Sequence, residues 1–145
     1  MLTTVHQIWN DSIATVASIS GLNWAMTIQP WPQSFETQGS SNSLGLSPKD
    51  GPLTLFLLSY SWSLASDDEA ITSAAHKLIG DIDTATTKAG HYNPFKYLNY
   101  AAYWQNPIAS YGEGEVRNLK AVAQKYDPSG LFQTGCPGGF KISKC

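Results

Sequence analysis

The stretch Pro52–Trp62, PLTLFLLSYSW, decides the fold. Its alternate positions form two apolar faces, one built from leucines and one that is mainly aromatic. A β-strand that is apolar on both sides is expected to be covered on both sides. The leucine face comprises Leu53, Leu55 and Leu57, and the aromatic face comprises Phe56, Leu58, Tyr60 and Trp62.

Two further elements are predicted before this strand. Residues 3–19 carry apolar side chains at the i, i+3, i+4 spacing of an amphipathic helix, which Gly21 ends. Leu22–Ile28 alternates apolar and polar side chains, which predicts a first strand. Pro30 and Pro32 are expected to end that strand.

The chain after the strand predicts two more helices. A capping box of Ser66 and Glu69 is expected to open a helix that ends at Gly90. Phe95–Ala101 is predicted to be extended. A last helix over 115–125 ends where Asp-Pro-Ser-Gly begins at Asp127. Its side chains expected to face inward are Val116, Leu119, Val122 and Ala123.

This order of elements predicts an α+β fold, in which a small antiparallel sheet has helices packed on one face. Residues 1–145 are interpreted as a single domain. The helices can cover one side of the sheet, so the other side is expected to be used for a ligand or for contact with a second copy of the chain.

Composition leads to the same expectation. Of the 145 residues, 42% are hydrophobic and only 14% are charged, which excludes a disordered tail or a coiled coil. A net charge of −2 argues against nucleic-acid binding, and the sequence contains no apolar run long enough to span a membrane. We therefore predict an apolar small-molecule substrate and a homodimer formed through the sheet.

The cysteines and histidines indicate neither a metal site nor an extracellular location. Cys136 and Cys145 are interpreted as free thiols, because the N-terminus does not have the pattern of a secretory signal. The location is predicted to be cytoplasmic. Two cysteines and three scattered histidines lack ligand spacing, and no glycine-rich phosphate-binding motif is present.

Four spaced segments carry a resemblance to a known family. They are Tyr97–Ala101 (YLNYA), Ser110–Gly112 (SYG), Lys125–Phe132 (KYDPSGLF) and Pro137–Lys141 (PGGFK). In this order they resemble the C-terminal end of fungal FAD-linked oxidases of the berberine-bridge-enzyme type. The resemblance covers nearly all of the chain. The family's FAD-binding domain, which attaches the flavin covalently, has no counterpart in these residues.

The resemblance implies that the sheet of this region lies over the flavin, with the substrate between them. It also implies that Tyr97, Asn99 and Tyr100 lie beside the isoalloxazine ring. One departure is Asn106, which stands where the family pattern leads us to expect an aspartate. An ionic role at that position is therefore in doubt.

The candidate residues each have a structural alternative. Tyr97, Asn99 and Tyr100 either face a ligand or pack as aromatics, with Asn99 tying down the backbone. His91 is a candidate acid–base residue, or a partner for the dipole of the preceding helix. Glu36 is a weaker acid–base candidate. A substrate-binding aromatic wall, or alternatively core or dimer packing, is predicted for Trp24, Met26, Phe56, Tyr60, Trp62 and Trp104.

Three functions are compatible with these residues. The first is a stand-alone natural-product enzyme without flavin or other cofactor, a cyclase, pericyclase or isomerase derived from an oxidase. Orientation of the substrate and Tyr or Trp donors to a carbonyl would supply its catalysis. The second is the substrate-domain piece of a split FAD-dependent oxidoreductase. The third is a non-catalytic binding protein.

Overall fold

The structure is a computed structural model that describes residues 1–35 and 42–145. The candidate Glu36 lies outside the described residues. The chain divides into two compact units, one of residues 1–29 and 56–93 and the other of residues 30–55 and 94–145. This division does not decide between one domain and two, so the single domain stays a prediction.

The architecture is α+β, as the sequence predicted, with a two-stranded antiparallel sheet. The described helices and strands are α1 (Leu2–Val16), β1 (Asn23–Trp31), β2 (Leu53–Ser61), α2 (Asp68–Lys88), α3 (Glu113–Tyr126) and α4 (Leu131–Thr134). Strand β1 passes through Pro30 rather than ending before it. A two-stranded sheet permits this, because each strand has one side that forms no ladder hydrogen bonds.

Helices α1 and α2 form the core of the first unit. They contribute the completely or almost completely buried side chains Val16, Ile71 and Leu78. Trp24 of β1 joins the same cluster, and its indole Nε1–H donates to Ser12 Oγ on α1 over 3.0 Å. Burial of each large apolar side chain stabilises the unit by about 1.5–3 kcal/mol. The other members of the cluster are Val5, Ala75 and Ile82.

The aromatic face of the sheet packs against this core, which corrects its expected placement on the side without helices. Successive side chains of a strand point to opposite faces, so the position of Trp24 puts Met26 on the helix side as well. Whether these residues also touch a substrate stays a prediction, as does the homodimer through the sheet. The side chains of β2 and its flank that pack against the core are Phe56, Leu58, Tyr60 and Trp62.

The ends of α2 differ in how well the sequence predicted them. A 3₁₀ turn precedes the helix, and no side-chain cap is formed at its start, so the predicted capping box of Ser66 and Glu69 is wrong. At the other end Gly90 has φ +70°, and its N–H donates to the Thr87 carbonyl. The His91 N–H donates to the Thr86 carbonyl, which completes a Schellman motif at the predicted glycine.

The second unit has a smaller core, whose buried side chains are Leu46, Leu55, Pro107, Ile108 and Tyr111. The loop before Leu46 approaches the Tyr111 backbone so closely that a Cβ on Gly45 would lie 2.0 Å from the Tyr111 carbonyl oxygen. Gly45 also has φ +72°. Only glycine combines this conformation with this approach.

Helix α3 is less buried than its spacing predicts. Val122, expected to face inward, is 54% exposed, and no residue of the helix is fully buried. Within the second unit α3 packs on two short 3₁₀ turns, Ala109–Tyr111 and Ile142–Lys144. Turns of three residues cover only part of a helix of this length. The apolar spacing therefore predicted the helix correctly but predicted more burial than the structure shows.

Gly45→Ala is predicted to destabilise the second unit strongly. The left-handed conformation costs a non-glycine residue about 1–2 kcal/mol, and the clash with the Tyr111 carbonyl adds about 1–3 kcal/mol more. Gly51→Ala is the matched control, because Gly51 has φ +69° and nothing within 4 Å of an added Cβ. Urea unfolding measures both. Equal losses for the two variants would contradict the close approach.

Tyr111 makes stability depend on pH in the alkaline range. Burial, and secondarily the electrostatic influence of Tyr97, raise the Tyr111 pKa above its ordinary value of 10.0. Well below pH 10.0 the Tyr111 phenol is protonated in both the folded and the unfolded chain, so its contribution to the free energy of unfolding is fully present. Above it the unfolded chain ionises first, so stability falls as the pH rises through the folded-state pKa.

Tyr111→Phe should therefore reduce the loss of the free energy of unfolding measured in urea between pH 9 and 11, roughly one unit either side of the ordinary tyrosine pKa. Some loss should remain, because burial and then Asp83 also raise the pKa of Tyr92. Tyr103→Phe is the control, since Tyr103 is 81% exposed. An unchanged slope in Tyr111→Phe would refute the assignment.

Candidate functional site

The structure brings Tyr97, Asn99 and Tyr100 together in the second unit. The Asn99 side-chain amide donates to the Tyr97 hydroxyl oxygen over 2.9 Å. The Tyr97 and Tyr100 ring centroids lie 4.9 Å apart, edge to face. The segment was predicted to be extended, but a 3₁₀ turn over Leu98–Tyr100 makes these contacts. Tyr97 is half-buried, whereas Asn99 and Tyr100 are exposed.

Trp31 lies at the centre of a wider aromatic group in the same unit. Its ring centroid is 5.5 Å from that of Tyr97, 5.8 Å from that of Phe95 and 5.6 Å from that of Phe35. We call Trp31, Phe35, Phe95 and Tyr97 the Trp31 cluster. Sequence reasoning did not select Trp31, because the strand was expected to end before it. The alternation of Trp24, Met26 and Ile28 continues to Pro30, so Trp31 is out of phase with it and had no signal of its own.

Two contacts hold the backbone beneath this cluster. The Phe95 ring stacks on Tyr111 with centroids 6.0 Å apart. The Lys96 N–H donates to Ser110 Oγ over 2.9 Å, and that hydroxyl donates to the Pro107 carbonyl over 2.6 Å. The segment that carries Tyr97 is thus tied to the buried turn of the second unit.

The remaining catalytic candidate, His91, belongs to the first unit and is exposed. It follows the Schellman glycine at the end of α2, where its backbone N–H completes the helix. This position fits a partner for the helix dipole. His91 and the tyrosines belong to different units, and the catalytic role of His91 stays a prediction.

The first unit has an aromatic group of its own. The Tyr60 ring lies 5.6 Å from Trp24 and 5.9 Å from Trp62, and it stacks on Trp62 at 16°. The Trp62 indole Nε1–H donates to Asp68 Oδ1 over 2.7 Å. The indole groups of both tryptophans are therefore engaged within the protein. These contacts describe core packing, the alternative weighed for these residues.

The other positions singled out lie in the second unit. Trp104 is half-buried. Asn106 Oδ1 accepts from the Ala109 N–H over 3.1 Å, so the residue that replaces the expected aspartate still caps a turn, a task that needs no charge. The Cys136 and Cys145 thiols are free.

The residues around Tyr97 present aromatic ring surface and a phenolic hydroxyl. The phenol accepts a hydrogen bond from Asn99 and keeps its own proton to donate, so it can bind a carbonyl or hydroxyl oxygen. Within residues 1–35 and 42–145 there is no group of three or more His, Cys, Asp or Glu side chains that could hold a metal ion. Nor does any helix in these ranges have the length and hydropathy to cross a membrane.

Curated relatives of the chain are fungal proteins. It is 39% identical over 145 residues to the FAD-dependent monooxygenase drtC of Aspergillus calidoustus, covering 97% of this chain and 27% of that protein. It is 40% identical to the FAD-dependent monooxygenase tpcD of Cochliobolus heterostrophus, over 80% of this chain and 23% of that protein. The bifunctional solanapyrone synthase of Alternaria solani is 34% identical over 79% of the chain and 23% of its own length.

No family model and no solved structure matches the chain. The chain spans about a quarter of the length of these three relatives.

The starts of α2 and α3 do not suit the phosphates of FAD. A helix N-terminus attracts an anion through its free N–H groups and its dipole, and negative side chains there oppose the anion. Helix α2 opens with Asp68 and Glu69, and α3 opens with Glu113 and Glu115. These carboxylates stabilise their helices and would repel a pyrophosphate. The chain is a homologue of one part of fungal FAD-dependent monooxygenases.

Proposed function

We propose that this chain forms the substrate-binding part of a fungal natural-product oxidoreductase. In this proposal the FAD is bound by a protein region that corresponds to the three quarters of the relatives' length to which this chain does not align. That region lies on the same polypeptide or on another. The names of the relatives support the oxidoreductase class, and the acidic side chains at the starts of α2 and α3 argue against flavin phosphates at those two helix starts.

One observation carries the role of this part, namely the hydrogen bond from Asn99 to Tyr97 beside Trp31. A phenol that accepts a hydrogen bond becomes a better donor of its own proton. Its rigid aromatic neighbours provide apolar contact area for a flat substrate. Tyr97 would therefore orient an oxygen of the substrate while Trp31 and Phe95 exclude water.

The narrower assignment to the berberine-bridge-enzyme type is part of this proposal. It would place Tyr97, Asn99 and Tyr100 toward the flavin ring, with the substrate held between the ring and these side chains. The 3₁₀ turn that gathers the three residues is compatible with such a role.

A flavin-free cyclase, pericyclase or isomerase is the second candidate. It is favoured by the fact that the donor and the aromatic walls around Tyr97 are all supplied by this chain. Holding a substrate in a reactive conformation lowers a barrier by up to about 7–11 kcal/mol in ideal cases, and a hydrogen bond to a developing negative charge lowers it further. Neither effect needs a cofactor.

The mass of the product separates the two candidates. Deletion of the gene in its source organism should accumulate the substrate, which is then incubated with the purified chain. The proposal predicts no conversion by the chain alone. Conversion with loss of two hydrogens or gain of an oxygen is expected only when the flavin-bearing portion of a relative such as drtC is added.

Conversion by the colourless chain alone to a product of unchanged mass would overturn the oxidoreductase proposal in favour of the cyclase or isomerase. Binding of the accumulated compound without conversion under either condition would overturn both, and would identify a non-catalytic binding protein.

Substitutions test the site within the same assay. Tyr97→Phe removes the donated proton and should lower turnover about tenfold or more, and Asn99→Ala should act in the same direction. Tyr103→Phe in the same unit is the control, because that side chain is 81% exposed, and it should retain full turnover. Wild-type turnover in Tyr97→Phe would place the site elsewhere.

A further inference from the structure

We propose that the indole N–H of Trp31 is a hydrogen-bond donor for a carbonyl oxygen of an aromatic ligand that enters the Trp31 cluster. The inference rests on the proposed function and deepens it, because it names the chemical class of the substrate as a neutral aromatic ketone or quinone.

The Trp31 Nε1 atom is buried and has no hydrogen-bond partner among the described residues. A buried donor left in this state costs about 1–3 kcal/mol, and native proteins contain few of them. The N–H groups of Trp24 and Trp62 donate to Ser12 and Asp68. Trp31 differs from these two, and it lies in the same cluster as Tyr97, where a ligand oxygen would supply the missing acceptor.

The surroundings of Trp31 also allow a ligand ring to reach it. Phe35 lies edge-on to Trp31 at 5.6 Å, yet its own side chain is 56% exposed. It ends a single 3₁₀ turn, Gln33–Phe35. Rotation of so exposed a side chain gives up little buried area, so an aromatic ligand can replace the Phe35 ring against Trp31 at small cost.

The donors determine the chemistry of the ligand. Indole only donates, and the Tyr97 hydroxyl already accepts from Asn99, so both groups have a proton to give. They therefore select an acceptor oxygen rather than an amine. The aromatic rings around Trp31 make the burial of a carboxylate costly. A neutral carbonyl on an aromatic frame satisfies both conditions.

The test compares two probes of the same shape, 9-fluorenone, which has a carbonyl, and fluorene, which has a methylene in its place. Dissociation constants are measured by quenching of protein fluorescence, and the indole N–H signals are followed by NMR. The wild-type chain should bind fluorenone about two- to tenfold more tightly than fluorene. Fluorenone should also shift the Trp31 N–H signal, which is assigned by its absence in Trp31→Phe.

Trp31→Phe should reduce the preference for fluorenone, because only the Tyr97 hydroxyl then remains to donate to the carbonyl. The ratio of the two dissociation constants is the measure, since the smaller ring weakens contact with both probes. Trp9→Phe is the matched control. Trp9 also has a buried N–H without a partner among the described residues, but it lies in the first unit beside His6. This variant should keep the preference.

A preference for fluorenone that is undiminished in Trp31→Phe would overturn the inference. So would equal affinities of the wild-type chain for the two probes, since that result would mean that the N–H is held by the face of a neighbouring ring. The binding assay needs neither flavin nor turnover. If the oxidation assay fails but the preference for fluorenone still depends on Trp31, the proposed function is refuted and the inference about Trp31 is not.

Discussion

Burial of the aromatic face of the sheet against α1 and α2 is the constraint on which the first unit depends. Two strands alone are only marginally stable in water, so the sheet needs a covering layer. Trp24 provides the link, because its ring lies in the core while its N–H is bonded to Ser12 on α1. The aromatic face of the sheet is thus covered by the protein's own helices. For this reason the proposed ligand site is the Trp31 cluster.

The distribution of charged side chains fits the proposed role of this chain as the part that binds substrate rather than the flavin phosphates. Acidic side chains at the starts of α2 and α3 stabilise those helices through their dipoles. The same side chains make the helix starts unsuitable for a dinucleotide. Neutral aromatic rings and donors around Tyr97 suit an apolar substrate instead. Homology to one part of FAD-dependent monooxygenases is consistent with such a division of labour.

The candidate site was predictable in part. The resemblance drew attention to Tyr97 and Asn99, and the two side chains do meet, but through a 3₁₀ turn rather than through the alternation of an extended segment. Trp31 was missed because the neighbouring prolines suggested that the strand had ended. Which aromatic rings touch one another depends on contacts between segments far apart in the chain, such as Trp31 with Phe95, and these leave no local pattern.

The sequence by itself determined the existence of α1, α2, α3 and the two strands, because helix and strand periodicity and the glycine that ends α2 are local properties of the chain. Only the tertiary structure decided which faces are covered. It turned the aromatic side of the sheet toward the core and left Val122 of α3 exposed. It also placed beside Tyr97 a buried indole N–H that has no acceptor among residues 1–35 and 42–145. Periodicity shows that a face is apolar, whereas its partner is set by the packing of residues that are distant in sequence.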